Sequence, residues 1–448
     1  MSNHPKADSS SNSFPWEWPI AAPGPSWNIP RISLPSCLGP LLQYQTEWWY
    51  YAGHAYDTDG TQYSLQFSIN RMGFSDAPDL QLIACLNGIG DSSDDSYIFE
   101  TSYGWGVSQD PESNSGLTMP PVTNELYELR THALPLLGTA HTRVSRTGGE
   151  ATGAKGAKYR LVSGMSPEVY TAKLNLIDER GMVLEWQSGY IGPDSPAHFG
   201  NESFEFAQPR LRITSGTLLL KNKLRTIRGG MLWLDRQVLT SPPGQQSEPV
   251  SVADIKAAVA NSGIAKSLYR GSWMGIALDN GLTLLCACFW QLPQAPLLQW
   301  QTGTLLGLPP LSTYGNLYFN DEGRRVRNGG TYLRGFEKGD PDDKVFDFDV
   351  NILQPEQPGS SPHWQSPTAT YSNGWWIRIG PEGQRFGLPA NLYLRAVVSG
   401  CENVLPSTEW RLNAYWEGAA NVFADSGLTQ QIGHAFVEQM GFDGGSTP

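Results

Sequence analysis

The chain has 448 residues, with 43 acidic against 31 basic side chains, and its formal net charge of −12 repels a phosphate backbone or an anionic membrane surface. Nucleic acid is therefore not an expected partner. Its 48 Gly, 33 Pro and 11% aromatic residues, with only 17% charged, predict many short strands and turns in a mostly β protein, and the length predicts two domains.

The first 14 residues, MSNHPKADSSSNSF, are polar and Ser-rich and are expected to be disordered. In the next stretch, PWEWPIAAPGPSWNIPRISLP, repeated proline removes backbone donors and keeps the chain extended. No basic leader followed by an apolar run opens the chain, and no apolar stretch approaches the roughly 18 residues of a membrane span. A soluble, cytoplasmic protein without a membrane span is expected.

QTEWWYYAGHAYDTDGTQYSLQFS, Gln45 to Ser68, reads as a β-hairpin turning at Asp57-Thr58-Asp59-Gly60. Strand alternation places Glu47, Trp49 and Tyr51 on one face and Trp48, Tyr50 and Ala52 on the other. One face is expected to pack a core and the other to line a pocket. Further strands are predicted in LQLIACL, SYIFETSYGW, YRLVSGM, YTAKLNLID and MVLEWQSGYI, at the spacing of a sandwich or barrel. The segment from Pro120 to Lys158 is looser, with a short helix and a mobile Gly-rich loop expected.

From Phe204 to Leu239 a run of strands ends in GGMLWLDRQ, where parity sets Met231, Trp233, Asp235 and Gln237 on one face. An aspartate beside a tryptophan on a pocket wall is desolvated, which disfavours its charged form. Held neutral, it can protonate an alkene or donate a hydrogen bond to a carbonyl, so Asp235 is the first catalytic candidate. An ion pair with an arginine of a neighbouring strand is the competing reading.

A composition change at TSPPGQQSEPVSVADIKAAVANSGIAK marks a linker over residues 240–264, with a short helix capped by Ser251. It separates an N-terminal β domain, residues 15–239, from a C-terminal one, residues 265–445. GSWMGIALDNGLTLLCACFW and GWWIRIGPEGQRFGLPANLYLRAVV read as two more hairpins, the return strand of the first apolar on both faces, and AYWEGAANVFADSGLTQQIGHAFVEQMGF as two closing strands. The shared pattern of tryptophan-rich strand, turn and return strand suggests an internally related pair of domains.

Five cysteines without CxxC spacing and seven scattered histidines predict neither a disulfide framework nor a metal site. No GxSxG, HExxH, P-loop or strand-following GxGxxG is present, which removes support for hydrolase, metalloprotease and nucleotide-binding readings.

TEWWYYAGH, QPRLRITSGTLLL with GGMLWLDRQ, SWMGIALDNG and AYWEGAANV with GHAFVEQMGF, in this order from Gln45 to Phe442, resemble the AttH-like and hydroxyneurosporene synthase (carotenoid 1,2-hydratase) family. The resemblance implies two lipocalin-like antiparallel β domains, barrels or sandwiches, and chemistry on hydrophobic polyenes or isoprenoids without a cofactor. Members include carotenoid hydratases, kievitone-type hydratases and fungal enzymes of Diels–Alder cyclisation. It also implies an Asp acting as acid in an aromatic setting, which matches Asp235 here.

Glu47 is a second candidate acid, or orients water; the alternative is a structural partner for an arginine or a backbone amide. Trp48, Trp49, Tyr50 and Tyr51 are candidates for an aromatic wall around a polyene, half of them expected in the core. Trp273, Trp376, Tyr415 and Trp416 divide in the same way, and Glu417 is expected to be solvated or salt-bridged. Arg378, facing Arg395 on the third hairpin, is a candidate for the polar end of a substrate, with a cross-strand ion pair as the alternative. His54 and His434 are expected to be structural. The expected function is a cofactor-independent cyclase of specialised metabolism, of Diels–Alder or hetero-Diels–Alder type, acting on a hydrophobic small molecule. A hydratase or dehydratase and a non-catalytic carrier are the alternatives.

Overall fold

The structure, a computed structural model, describes residues 17–18, 32–33, 46–73, 80–107, 116–118, 128–132, 141–149, 155–164, 170–181, 183–188, 203–239, 269–291, 298–299, 304–305, 312–318, 325–331, 348–352, 363–367, 369–381, 384, 387–404 and 414–440. The N-terminal 14 residues and the 240–264 linker, with its expected helix, lie outside them. Among the described residues no helix is long and apolar enough to cross a membrane.

The short strands β1 (Glu17–Trp18) and β2 (Ile32–Ser33) pair with each other. A first large sheet follows, made of β3 (Thr46–Asp57), β4 (Gln62–Gly73), β5 (Leu80–Asp91), β6 (Ser96–Val107), β7 (Gly116–Thr118), β8 (Glu128–His132), β9 (His141–Gly148), β10 (Lys158–Gly164), β11 (Tyr170–Asp178), β12 (Val183–Ser188), β13 (Ser203–Leu220) and β14 (Lys223–Leu239). Its order is β6-β5-β4-β3-β14-β13-β11-β10-β9-β8-β7, with β12 on β13, and it curls until β7 lies near β5 and β6.

The second half begins with β15 (Tyr269–Leu278) and β16 (Thr283–Gln291), after which β17 (Leu298–Gln299) and β18 (Thr304–Leu305) form a small pair of their own. It continues through β19 (Ser312–Tyr318), β20 (Arg325–Thr331) and β21 (Phe348–Ile352) to a second small pair, β22 (His363–Gln365) with β23 (Thr370–Ser372). The last strands are β24 (Gly374–Ile379), β25 (Asn391–Ala396), β26 (Glu402–Val404), β27 (Ala414–Phe423) and β28 (Gln431–Met440). The second sheet runs β20-β19-β16-β15-β28-β27-β25-β24-β21, with β26 on β27.

The class is as expected: two curled antiparallel sheets in a lipocalin-like β fold. The same closure appears in both halves, since the first long strand of each, β3 or β15, pairs with the last, β14 or β28. All three predicted hairpins form, as β3–β4, β15–β16 and β24–β25. At the first turn the Asp57 carboxylate accepts the backbone N–H groups of Asp59 and Thr61, which closes the loop around Gly60 at φ 88°. One expectation is met only in part by the described residues, since much of the segment where a short helix and a Gly-rich loop are expected lies outside them. The segment from Pro120 to Lys158 contains strands β8 and β9, and the Glu128–His132 stretch is extended, because pairing with β9 decides its state over local propensity.

Each half has its own apolar core. Trp49, Tyr51, Leu65, Phe67 and Ile69 pack inside the first sheet with Leu161, Leu174, Leu232 and Leu234. Met274, Ile276, Leu284, Trp375, Ile377, Leu394 and Trp416 pack inside the second. Strand β11 alternates buried and accessible residues, as a strand with one wet face does. Strand β4 is buried on both faces: Tyr63, Leu65, Phe67 and Ile69 point into the core, while Gln62, Ser64, Gln66 and Ser68 are covered from the other side. The cover is the second sheet. Ser64 Oγ accepts the Ala419 N–H at 2.9 Å, Gln62 exchanges two amide hydrogen bonds with Asn421, and His54 stacks on His434 at 3.8 Å.

Candidate active site between the two sheets

The register of the central strands sets out the site. On the first sheet Ser68, Tyr50, Asp235 and Ala207 form one cross-strand row, and Gln66, Ala52 and Trp233 form the next. On the second sheet Ala287, Trp273, Glu438 and Glu417 form a row, beside Leu285, Gly275, Phe436 and Ala419. The two faces meet: Trp233 and Trp273 stand edge to face at 5.6 Å, and the Tyr50 and Phe436 rings lie 5.8 Å apart. A small apolar cluster of Ala52, Ala207, Trp233, Trp273, Leu285 and Phe436 joins the halves. Around it Trp48, Tyr50, Asp235, Gln237 and Glu438 keep partial accessibility on strands whose neighbours are buried, which marks a cleft between the sheets.

Three carboxyl groups face this cleft. Glu417 is 4% exposed, and its Oε2 accepts both the Tyr50 hydroxyl and, at 2.9 Å, the Asn403 amide. Desolvation, then the facing Glu438, raises its pKa well above the usual carboxylate range, and Asp235 adds to the rise. Glu438 is pushed up to about 7 by desolvation. Side by side across β27 and β28, these two carboxyls cannot both ionise cheaply, so the pair holds a proton near neutral pH. Both hydrogen bonds to Glu417 converge on its Oε2. Asp235 Oδ2 accepts the Trp48 indole N–H at 3.2 Å.

A second layer fixes Glu417. Asn403 also donates to Gln66 Oε1 at 3.1 Å, and the Tyr97 hydroxyl bridges Asn403 Oδ1 at 2.6 Å and Gln66 Oε1 at 3.1 Å. This network crosses from β4 and β6 to β26 and β27. Tyr415, on the Glu417 face of β27, is raised by desolvation and by Glu417, as expected for a phenol held against a buried carboxyl.

The structure brings together six of the residues singled out from sequence: Trp48, Tyr50, Trp233, Asp235, Trp273 and Tyr415. Others it places elsewhere. Glu47 is fully buried on the opposite face of β3, paired with Arg71 and Arg236, and Arg236 lies over the Trp49 ring at 3.9 Å. Trp49 and Tyr51 belong to the first core, and Trp416 to the second, tilted on Trp375 at 5.6 Å. Trp376 stacks on Tyr393 at 6.3 Å and donates to Asn391, with the exposed Arg378 two residues along the same outer face. Glu417 differs from expectation: among the described residues its partners are a tyrosine and an asparagine, and it is neither solvated nor salt-bridged. Glu438, Phe436, Gln66, Tyr97 and Asn403 were not singled out at all. Parity along β28 could have found Glu438 and Phe436, but no local signal ties Tyr97 to Asn403 across 306 positions.

No protein-family model matches the sequence, and no curated protein matches it. Among solved structures the chain is similar to an AttH-like protein from Nitrosomonas europaea, at 15% identity over 92% of this chain and 97% of that one, with a TM-score of 0.56. It is also similar to kievitone hydratase from Nectria haematococca, at 12% identity over 88% and 89% of the two chains, with a TM-score of 0.44. CghA with Sch210972 matches at 11% identity over 90% of each chain, with a TM-score of 0.48. The first similarity establishes a shared fold; the other two superpose too loosely to add to it.

Proposed function

We propose that this chain, which has the AttH-like fold, is an enzyme that binds an unsaturated hydrophobic small molecule, polyene or isoprenoid-bearing, in the cleft between its sheets and promotes Diels–Alder-type ring closure. The observation that carries this reading is a carboxyl pair held proton-bearing by burial, Glu417 with Glu438, with Asp235 beside it, inside walls of Trp48, Tyr50, Trp233, Trp273 and Phe436. Ring closure needs the reacting carbons held in near-attack geometry, which aromatic walls on two rigid sheets supply. It gains further from a donor aimed at the electron-poor partner, and a neutral carboxyl is such a donor.

A second reading is favoured by the pairing of Glu417 with Glu438. One protonated and one ionised carboxyl form an acid and a base: the acid delivers its proton to one alkene carbon, water adds to the other, and the carboxylate takes the proton that water loses. Run backwards, the same pair removes water. The non-catalytic carrier reading is the third.

The test is incubation of the protein with conjugated trienes and prenylated phenols in heavy-oxygen water, with products weighed by mass spectrometry. Ring closure leaves the mass unchanged and unlabelled, and hydration incorporates the label. Bound but unchanged substrate throughout would sink both enzymatic readings in favour of the carrier. Asp235→Asn then tests the individual acid: its turnover is expected to fall about 10²-fold or more with ligand affinity retained. Full product formation by that variant removes Asp235 from the chemistry.

A further inference from the structure

Two indole N–H groups stand out in the cleft. Trp233 is 5% exposed and Trp273 7%, and Trp233 Nε1 and Trp273 Nε1 are buried donors without an acceptor among the described residues. Buried donors are nearly always satisfied, and an orphan costs the desolvation of the group. Trp375 Nε1 is also an orphan, but it lies in the core of the second sheet against Trp416. The other two meet: Trp233 stands on β14 in the row that runs through Ala52, and Trp273 packs on it from the facing sheet. An edge-to-face pair can direct at most one indole N–H at the other ring, so that contact cannot satisfy both.

We infer that the natural ligand of this cleft carries a hydrogen-bond acceptor oxygen, a carbonyl or similar group, which Trp233 and Trp273 receive, and that it is not a pure hydrocarbon polyene. The inference rests on the proposed binding of an unsaturated hydrophobic molecule in the same cleft. The two indole donors grip the oxygen, and the carboxyl system lies one cross-strand row from Trp233 on the first sheet and in Trp273's own row on the second. A site built to hydrogen-bond an oxygen discriminates strongly against an analogue that lacks it, because its buried donors are then left unpaired.

The experiment uses the full chain and a matched pair of probes, a conjugated trienone and the same triene with its carbonyl replaced by methylene. Binding is followed by calorimetry, and the indole N–H resonances by NMR of protein labelled with nitrogen-15 at tryptophan. The trienone is expected to bind at least roughly ten-fold more tightly, with the two resonances that vanish in Trp233→Phe and Trp273→Phe moving downfield in the wild type. The double variant should abolish the trienone's advantage over the triene, so that the two probes bind alike, whatever both lose with the trimmed aromatic wall. Equal binding of the two probes, or unmoved indole resonances with trienone bound, overturns the acceptor inference and leaves the cleft as a hydrophobic site. Binding of neither probe overturns the cleft reading itself. The NMR arm needs the variants only for assignment, so a folding defect in them does not rescue the proposal.

Discussion

Glu47 and Glu417 are both buried carboxyls near the centre of the molecule, and their surroundings give them opposite tasks. Glu47 sits between two buried guanidiniums, and removing its charge takes away the carboxylate that both Arg71 and Arg236 pair with. Glu47→Gln is expected to cost about 3–5 kcal/mol of stability in urea unfolding while the folded fraction keeps its turnover number. A variant that is normally stable but inactive would instead place Glu47 in the chemistry. Glu417 is surrounded by neutral donors and a second acid, so Glu417→Gln keeps the shape, and a hydrogen bond from Tyr50 or Asn403 to the new amide oxygen. Its turnover is expected to fall about 10²–10⁴-fold. Its stability relative to wild type should grow with pH, because a raised carboxyl pKa means that the native state loses stability as the group is forced to ionise. A pH-independent difference would show that Glu417 is not the buried acid described.

At the scale of the elements, the approach of β15 to β14 depends on Gly275. A methyl group there would meet the Trp233 ring at 2.9 Å and Trp273 at 3.0 Å, closer than side chains pack, so the pair of indoles would have to move. Gly275→Ala is expected to cost about 1–3 kcal/mol and to lower ligand affinity through the displaced indoles, read by near-ultraviolet circular dichroism and calorimetry. Unchanged affinity would show that the indole pair does not shape the site. Strand β4 carries the same lesson. Its Gln62, Ser64, Gln66 and Ser68 look like a solvent face in sequence, and they are dry because the second sheet lies over them. Polar residues matched across the contact, such as Gln62 with Asn421, fix the register of sheet on sheet, where an apolar face would have fixed only contact.

For the whole molecule, buried titratable groups at the contact make stability depend on pH in two opposed ways. His434 is pushed down to about 4 and His54 well below 6.5, both first by desolvation, so the native state binds fewer protons there than the unfolded chain. That contribution rises with pH between about 4 and 6.5. Glu438 and Asp178, each pushed up to about 7 by desolvation, contribute in the other direction, losing stability as pH climbs from the ordinary carboxylate range through about 7. The urea midpoint is therefore expected to change little from mildly acid pH to about 6.5 and to decline above it, and Glu438→Gln should reduce the decline. A midpoint that climbs steadily through neutrality would contradict buried, proton-bearing carboxyls at the contact.

Alternation along Thr46–Asp57 and Lys223–Leu239 was enough to divide each strand into two faces, and the division is the one the structure shows. Glu47, Trp49 and Tyr51 share a face, and so do Trp48, Tyr50 and Ala52, because a pleated backbone turns every second side chain the same way whatever it packs against. The β class, the hairpins and the Trp233–Asp235 face were legible for that reason. Which face is core and which is cleft was not, since both carry aromatics and only the position of the second sheet separates them. Glu438 beside Glu417, Trp273 against Trp233, and Asn403 holding Gln66 across 337 positions come from different strands, and the last two pairs from different sheets. Their protonation and pairing arise from burial by one another, a property of the assembled contact that no single strand possesses.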